Sequence, residues 1–184
     1  MSRSPADILL TPGAGSDRHQ ATLVAIDEQL PGRVNRVDFP YRIAGRKVPD
    51  KAPVLLAALE SAAATMADTA LVMGGRSMGG RMCSMAAAQG LIPTRALVLI
   101  CYPLHPPGKP DRLRTEHFPD ITVPCLFISG TKDQFGSPDE LTTATAQIAG
   151  PVQHVWIDGA DHSLRRKDAH IAAIAAEWIG QLPG

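Results

Sequence analysis

The chain has 184 residues, and its 18 Lys and Arg residues balance its 18 Asp and Glu residues. This length suits one domain, predicted over residues 1–184, and the balanced charge argues against a nucleic-acid binder and favours a small-molecule partner. The N-terminus lacks an apolar signal core and no apolar run is long enough to span a bilayer, so we expect neither a secreted nor a membrane protein.

Short apolar runs rich in β-branched residues alternate along the chain with segments of helical period. This alternation is typical of a parallel sheet with helices on both faces, the α/β class. Six strands are predicted, at residues 7–11, 34–39, 70–74, 96–100, 125–130 and 152–157. Helices are predicted at residues 18–29, 51–67, 79–89, 139–148 and around 171–179. The period is clearest in the helix over 51–67, where Leu55, Leu59 and Met66 share one apolar face.

A long proline-rich connection over residues 101–124 follows the fourth predicted strand and has no strong period. We predict a loop with at most one helical turn. Loops of this length often lie over the strand ends where α/β sheets bind ligands, which makes Tyr102, His105 and Lys109 candidate pocket residues. An exposed connector without a functional role is the other interpretation.

The third predicted strand runs into the pattern Gly-x-Ser-x-Gly, with Ser77 at its centre. In a nucleophile elbow the serine stands on a sharp turn between strand and helix, and the residues two before and two after it must be small. Gly75 and Gly79 meet that requirement. The Met78 N–H, at the start of the following helix, is a candidate donor to an oxyanion. A plain structural turn or a phosphate-binding turn would also suit this pattern when it is taken alone.

Two further polar residues follow strands in the way that a serine nucleophile requires. Asp133 comes three residues after the fifth predicted strand, and His162 follows the last strand and precedes the last helix. A serine needs a base to accept its proton, and the base needs a carboxylate to orient it. We predict His162 as the base and Asp133 as the acid.

The order Ser, Asp, His along the chain is the order found in α/β-hydrolases. Asp158 and Asp161 are rival candidates for the acid, but Asp161 is the direct neighbour of His162, and adjacent side chains rarely face each other. Separately, Asp133 also suits a turn or helix cap and His162 an exposed surface position.

A Gly-rich loop follows the first predicted strand, in Thr-Pro-Gly-Ala-Gly-Ser at residues 11–16. We predict that Ala14 or Gly15 supplies the second oxyanion donor through its backbone N–H. Gly13 and Arg76 are predicted to contact the substrate. A nucleotide-phosphate loop is excluded, because neither of its glycine patterns occurs here.

The three cysteines, Cys83, Cys101 and Cys125, are odd in number, lie in apolar segments and lack the spacing of metal ligands. Free thiols and a cytoplasmic protein are therefore predicted. We predict no cofactor and no bound metal, and a monomer or homodimer.

The segments at residues 74–80, 101–108, 129–133 and 159–162 together resemble the α/β-hydrolase superfamily, in particular its small lidless members related to dienelactone hydrolases and testis-expressed hydrolase-like proteins. The resemblance covers nearly the whole chain. It implies a minimal three-layer fold, mostly parallel, with strand order 2-1-3-4-5-6, lacking the first strands and a lid domain. It also implies a catalytic triad of Ser77, Asp133 and His162.

The function predicted from these features is a serine hydrolase that cleaves a small carboxylester or thioester through an acyl-enzyme. The alternative is a weakly active or inactive binding or scaffold protein, because a related domain occurs in a chromatin-complex subunit. Arg42, Arg46, Lys47 and Arg76 either attract an anionic substrate or form a solvated face.

Overall fold

A computed structural model describes residues 8–66 and 70–183 of the chain. Two ends of predicted elements, Asp7 of the first strand and Ala67 of the helix over 51–67, lie outside the described residues. None of the helices in the described part combines the length and apolar character that crossing a bilayer requires.

Six strands form one sheet in the order β2-β1-β3-β4-β5-β6, and every neighbouring pair is parallel. The strands are β1 (Ile8–Thr11), β2 (Val34–Arg36), β3 (Leu71–Arg76), β4 (Thr94–Ile100), β5 (Cys125–Gly130) and β6 (Val152–Ile157). β3, β4 and β5 are central and nearly continuously apolar, because helices cover both of their faces. The predicted fold class and strand order are confirmed.

Six helices cover the sheet in the described residues: α1 (Ala21–Gln29), α2 (Pro40–Ile43), α3 (Ala52–Ala63), α4 (Met78–Ala88), α5 (Pro138–Thr145) and α6 (Asp168–Gly180). α1 and α6 pack together on one face, where Leu23, Ile26 and Ile171 are fully buried. α3, α4 and α5 cover the other face around a second apolar cluster that includes Leu59 and Met82. These two cores make the three-layer arrangement that the helical periods predict.

Among the boundaries that differ from the predictions by a few residues, two at β2 and β3 have a local reason. β2 ends at Arg36 rather than at residue 39, because Phe39 is the N-cap of α2 and Pro40 begins that short helix. β3 extends to Arg76, which pairs with Ile100 of β4, so Ser77 follows the strand directly. The connection over 101–124 is mostly loop and contains one 3-10 turn, Phe118–Asp120, as predicted.

All strands of a parallel sheet present their carboxyl ends at the same edge. The loops after β1, β3, β5 and β6 therefore meet there, and they carry the Gly-rich segment 11–16, Ser77, Asp133 and His162. Side chains that are far apart in the sequence are brought together at this edge.

Candidate active site

Ser77 occupies a strained turn between β3 and α4, with φ 51° and ψ −117°. A non-glycine residue adopts such angles only where its surroundings enforce them, and such residues cluster at functional sites. The turn closes tightly because its neighbours lack side chains. A Cβ on Gly75 would lie 2.6 Å from Gly80 N, and a Cβ on Gly79 would lie 2.6 Å from the carbonyl oxygens of Thr11 and Pro12.

The Ser77 hydroxyl lies next to the imidazole of His162, which in turn contacts Asp133. Ser77 Oγ is 2.9 Å from His162 Nε2, and His162 Nδ1 is 2.8 Å and 3.0 Å from the two Asp133 carboxylate oxygens. An ionised carboxylate only accepts hydrogen bonds, so Nδ1 is the donor. In the neutral ring Nε2 must then be the acceptor, and the Ser77 hydroxyl must donate to it.

The loop after β5 that carries Asp133 (the acid loop) and the loop after β6 that carries His162 (the histidine loop) are joined by a backbone hydrogen bond, and a second bond fixes Asp133 within its own loop. Lys132 N–H donates to Ala160 O at 2.8 Å, and the Phe135 N–H donates to Asp133 Oδ1 at 2.8 Å. The Asp133 side chain is 1% exposed. The Phe135 ring lies against the His162 ring with 4.1 Å between centroids. These contacts fix the orientation of both side chains. The rival Asp161 instead accepts from Ser163 N–H at 2.9 Å, away from His162 Nδ1.

Arg76 holds the histidine loop in place. Its guanidinium donates to the carbonyl oxygen of His162 at 2.9 Å, to that of Ser163, and to Thr22 Oγ1 at 3.3 Å. Thr22 Oγ1 donates in turn to Asp168 at 2.6 Å. Arg76 thus links the end of β3 to the loop that carries His162, a positioning contact that the sequence did not predict.

The loop after β1 is fixed by three hydrogen bonds. Gly13 N–H donates to Gln20 Oε1 at 3.1 Å, Ser16 N–H donates to Gly13 O at 3.0 Å, and the buried Tyr41 hydroxyl donates to Ala14 O at 2.7 Å. The Gly13 N–H is therefore occupied. The predicted oxyanion donors, the N–H groups of Ala14, Gly15 and Met78, have no hydrogen-bond acceptor among the described residues.

A cavity of about 490 Å³ opens over the serine and the histidine. Its lining consists of residues 13–16, Gln20, residues 76–77, Gln134 and residues 161–163. The predicted substrate contacts Gly13 and Arg76 are part of this lining, as are the predicted oxyanion residues Ala14 and Gly15.

The structure places the other two predicted substrate contacts elsewhere. Tyr102 is 2% exposed and packs against Phe118 and Phe127, with its hydroxyl donating to Arg114 O. His105 is also buried, and its Nε2 lies 3.5 Å from a Glu140 carboxylate oxygen. Neither side chain lines the cavity, because the loop turns both toward the protein interior.

Two of the four basic residues for which an anion-attracting mouth and a solvated face were the alternatives have acidic partners. Arg46 makes two hydrogen bonds to the Asp50 carboxylate, at 2.7 Å and 3.0 Å. Arg42 lies 3.7 Å from Asp17. These ion pairs favour the solvated face over an anion-binding mouth.

Cys101 brings a thiol close to the Asp133–His162 pair, with ligand atoms of all three residues within 4.8 Å of one another. A metal would need the thiolate, yet burial, followed by the negative charge of Asp133, raises the pKa of Cys101 to about 12. A metal would also displace the hydrogen bond between His162 and Asp133. The donor set therefore suits proton transfer better than metal binding.

The sheet order, the elbow at Ser77 and the position of the histidine loop are typical of the α/β-hydrolase class of proteins. The chain belongs to the alpha/beta hydrolase domain family, which it matches over residues 4–178.

Several solved structures share this fold. The dienelactone hydrolase from Anabaena variabilis superposes with a TM-score of 0.74 at 22% identity, covering 97% of this chain and 88% of that one. The monoacylglycerol lipase from Paleococcus ferrophilus gives a TM-score of 0.76 at 14% identity, with coverage of 96% and 94%. The mouse alpha/beta hydrolase domain-containing protein 10 gives 0.75 at 16% identity, with coverage of 100% and 93%. At these identities the similarity concerns the fold.

Proposed function

We propose that this protein is a serine hydrolase that cleaves a small carboxylester or thioester. Ser77 Oγ attacks the acyl carbon while His162 Nε2 takes its proton, and Asp133 stabilises the imidazolium. His162 then returns the proton to the leaving alcohol or thiol. A water molecule, deprotonated by the same nitrogen, attacks the acyl-enzyme. The bond between Ser77 Oγ and the acyl carbon then breaks, His162 returns the proton to Ser77 Oγ, and the carboxylic acid leaves.

The observation that carries this proposal is the direction of the hydrogen bonds around His162, that is, which ring nitrogen donates and which accepts. Asp133 fixes the Nδ1 proton, so the only free lone pair of the ring faces the Ser77 hydroxyl at 2.9 Å. This is the arrangement in which the serine proton can be accepted without any rotation of the ring. The strained backbone at Ser77 keeps its hydroxyl in that position.

The tetrahedral intermediate requires donors for its negative oxygen. The N–H groups of Met78 and Ala14 supply them in this proposal, with Gly15 as the alternative to Ala14. Met78 is at the N-terminus of α4, where the positive end of the helix dipole also stabilises the negative oxygen. The family to which the chain belongs supports an acyl substrate, and the solved structures that resemble this chain include a dienelactone hydrolase and a monoacylglycerol lipase.

The test is labelling by a fluorophosphonate probe, which reacts with activated serines. We expect rapid labelling of the wild-type protein, none of Ser77→Ala, and unchanged labelling of Ser61→Ala, a serine on the exposed surface of α3. Asp133→Asn should lower kcat on p-nitrophenyl acetate by about 10⁴-fold, because the amide would favour the wrong imidazole tautomer. Equal labelling of wild type and Ser77→Ala would refute the proposal, and no labelling of either would favour the scaffold alternative.

We also propose that the protein works in a reducing compartment such as the cytoplasm. Support comes from its cysteines, all three of which are buried free thiols. Fractionation of cells that express a tagged full-length chain tests this location.

A further inference from the structure

The charged side chains that line the cavity are already engaged by protein groups. The Arg76 guanidinium donates to two backbone carbonyls and to Thr22, and the Asp161 carboxylate accepts from the backbone and hydroxyl of Ser163. Both contacts of Asp161 fall on its Oδ1, and Arg76 is held by three protein acceptors, so neither side chain is wholly free to bind a charged substrate. Among the described residues, the lining contains no large aliphatic side chain, and its one aromatic ring is the imidazole of His162.

Gln20 presents an amide group whose orientation is fixed. Its Oε1 accepts from Gly13 N–H at 3.1 Å, and only the oxygen of an amide can accept, so the Nε2 group points the other way. A Cβ placed on Gly13 would lie 3.8 Å from Gln20 Nε2 and 3.7 Å from Ser77 Cβ. The amide nitrogen and the nucleophile therefore flank the same side of Gly13.

Gln20 Nε2 has no acceptor among the described residues, although Gln20 is part of the cavity lining. The Ser16 hydroxyl and the Gln134 amide nitrogen also line the cavity, and they too have no acceptor among the described residues. The side-chain groups left to meet a substrate in this cavity are thus neutral: the Gln20 Nε2 donor, and the Ser16 hydroxyl and Gln134 amide, which can both donate and accept. A polar group that loses its water on substrate binding must find a partner, or binding is weakened.

We propose that Gln20 Nε2 donates a hydrogen bond to an uncharged oxygen on the acyl part of the substrate. The site then takes a short acyl group that carries a hydroxyl, ether or carbonyl oxygen near the scissile carbonyl, in preference to an aliphatic chain of the same size. This assignment rests on the proposed hydrolase function and names the substrate class for it.

Two esters of nearly equal shape test the assignment: p-nitrophenyl methoxyacetate, which has an ether oxygen, and p-nitrophenyl butanoate, which has a methylene in its place. The readout is the ratio of their kcat/KM values divided by the ratio of their hydroxide-catalysed rates, which removes the difference in intrinsic reactivity. We expect the wild-type protein to prefer the methoxyacetate by about three- to tenfold on this scale.

Two substitutions separate substrate recognition from support of the loop. Gln20→Glu keeps an oxygen that accepts from Gly13 N–H but removes the amide donor, whereas Gln20→Met removes both. We expect the preference to fall to about one in both variants. Gln89→Met, at the exposed C-cap of α4, should keep the wild-type ratio. Because the readout is a ratio, a general effect of the new charge or of a displaced loop cancels.

The outcomes distinguish failure of the Gln20 contact from failure of the hydrolase function. A wild-type ratio of one, or a preference that survives in both Gln20 variants, would overturn the role of Gln20 and leave Ser77 as the nucleophile. Fluorophosphonate labelling at Ser77 without hydrolysis of either ester would do the same. Absence of both labelling and hydrolysis would overturn the hydrolase function, and with it this assignment.

Discussion

Tyr41→Phe removes one hydroxyl from a fully buried ring and changes nothing else in the side chain. That hydroxyl donates to Ala14 O at 2.7 Å, and it holds the loop on which we place the second oxyanion donor. The phenyl ring can keep its packing beside Phe39, whose ring centroid lies 6.4 Å away. The substitution therefore tests whether this single contact keeps the loop in its active position.

The size of the effect follows from the bonds that remain. The loop keeps the hydrogen bonds from Gly13 N–H and from Ser16 N–H, so one of three is lost. A hydrogen bond of this kind contributes about 0.5 to 1.5 kcal/mol. The equilibrium constant for the active position of the loop then falls by about two- to tenfold, and this factor is the expected fall in kcat where the two remaining bonds leave the loop only marginally stable. Complete loss of one oxyanion donor, about 10²- to 10³-fold in kcat, is the upper limit.

The assay is steady-state hydrolysis of p-nitrophenyl acetate, with thermal unfolding measured in parallel. Tyr102→Phe is the matched comparison, because the Tyr102 hydroxyl also donates to a backbone carbonyl, at 2.8 Å, but far from this loop. We expect both variants to lose similar stability and only Tyr41→Phe to lose kcat, with KM little changed. Unchanged kcat in Tyr41→Phe would refute the positioning role. A loss of activity in Tyr102→Phe would instead support its predicted contact with the substrate.

Three further predictions concern stability and thiol chemistry. Gly79→Ala should lower the free energy of unfolding by about 3 kcal/mol or more in urea titrations, because its Cβ would lie 2.6 Å from two backbone oxygens. Burial, followed by the nearby charge of Arg81, lowers the pKa of His117 from 6.5 to about 4. The unfolded chain then takes up this proton first, so the stability contributed by neutral His117 is lost as the pH falls from about 6.5 to 4, and His117→Gln should flatten that slope. Burial raises the pKa of each cysteine thiol to about 12, so a disulfide reagent at pH 8 should modify none in the native protein and all three after unfolding.

The glycine and histidine predictions each have a control variant, and each of the three predictions has a result that would contradict it. Gly180→Ala places a Cβ at the end of α6 with no atom within 4 Å, so it should change the unfolding free energy by no more than about 1 kcal/mol. Similar losses in both glycine variants would contradict the steric argument. The exposed His170, changed to Gln, should keep the wild-type pH slope. An unaltered slope in His117→Gln, or rapid thiol modification of the folded protein, would show that burial does not control these groups.

Much of the fold could be predicted because its signals are local. Strand and helix periods fix which side chains face the cores, and parallel strands present their carboxyl ends at one edge. The tight approach at the elbow requires glycine, so the five-residue pattern made Ser77 a candidate, and the order Ser, Asp, His along the chain favoured the nucleophile over a plain or phosphate-binding turn. Asp133 and His162 each follow a strand, so the sequence also predicted that they would meet Ser77, and the structure brings the three side chains together.

The supporting contacts could not be predicted, because each joins residues that no local pattern relates. Arg76 and His162 are 86 residues apart, and Ala14 and Tyr41 are 27 apart. The same limit explains Tyr102 and His105, which lie on the expected loop but turn into the protein interior. The sequence by itself determined the layers and the order of the reactive residues along the chain, and its resemblance to the α/β-hydrolases implied the strand order. Only the tertiary structure decided which neighbours hold those residues and which donors, Gln20 among them, remain free to meet a substrate, because side-chain direction depends on packing across the whole domain.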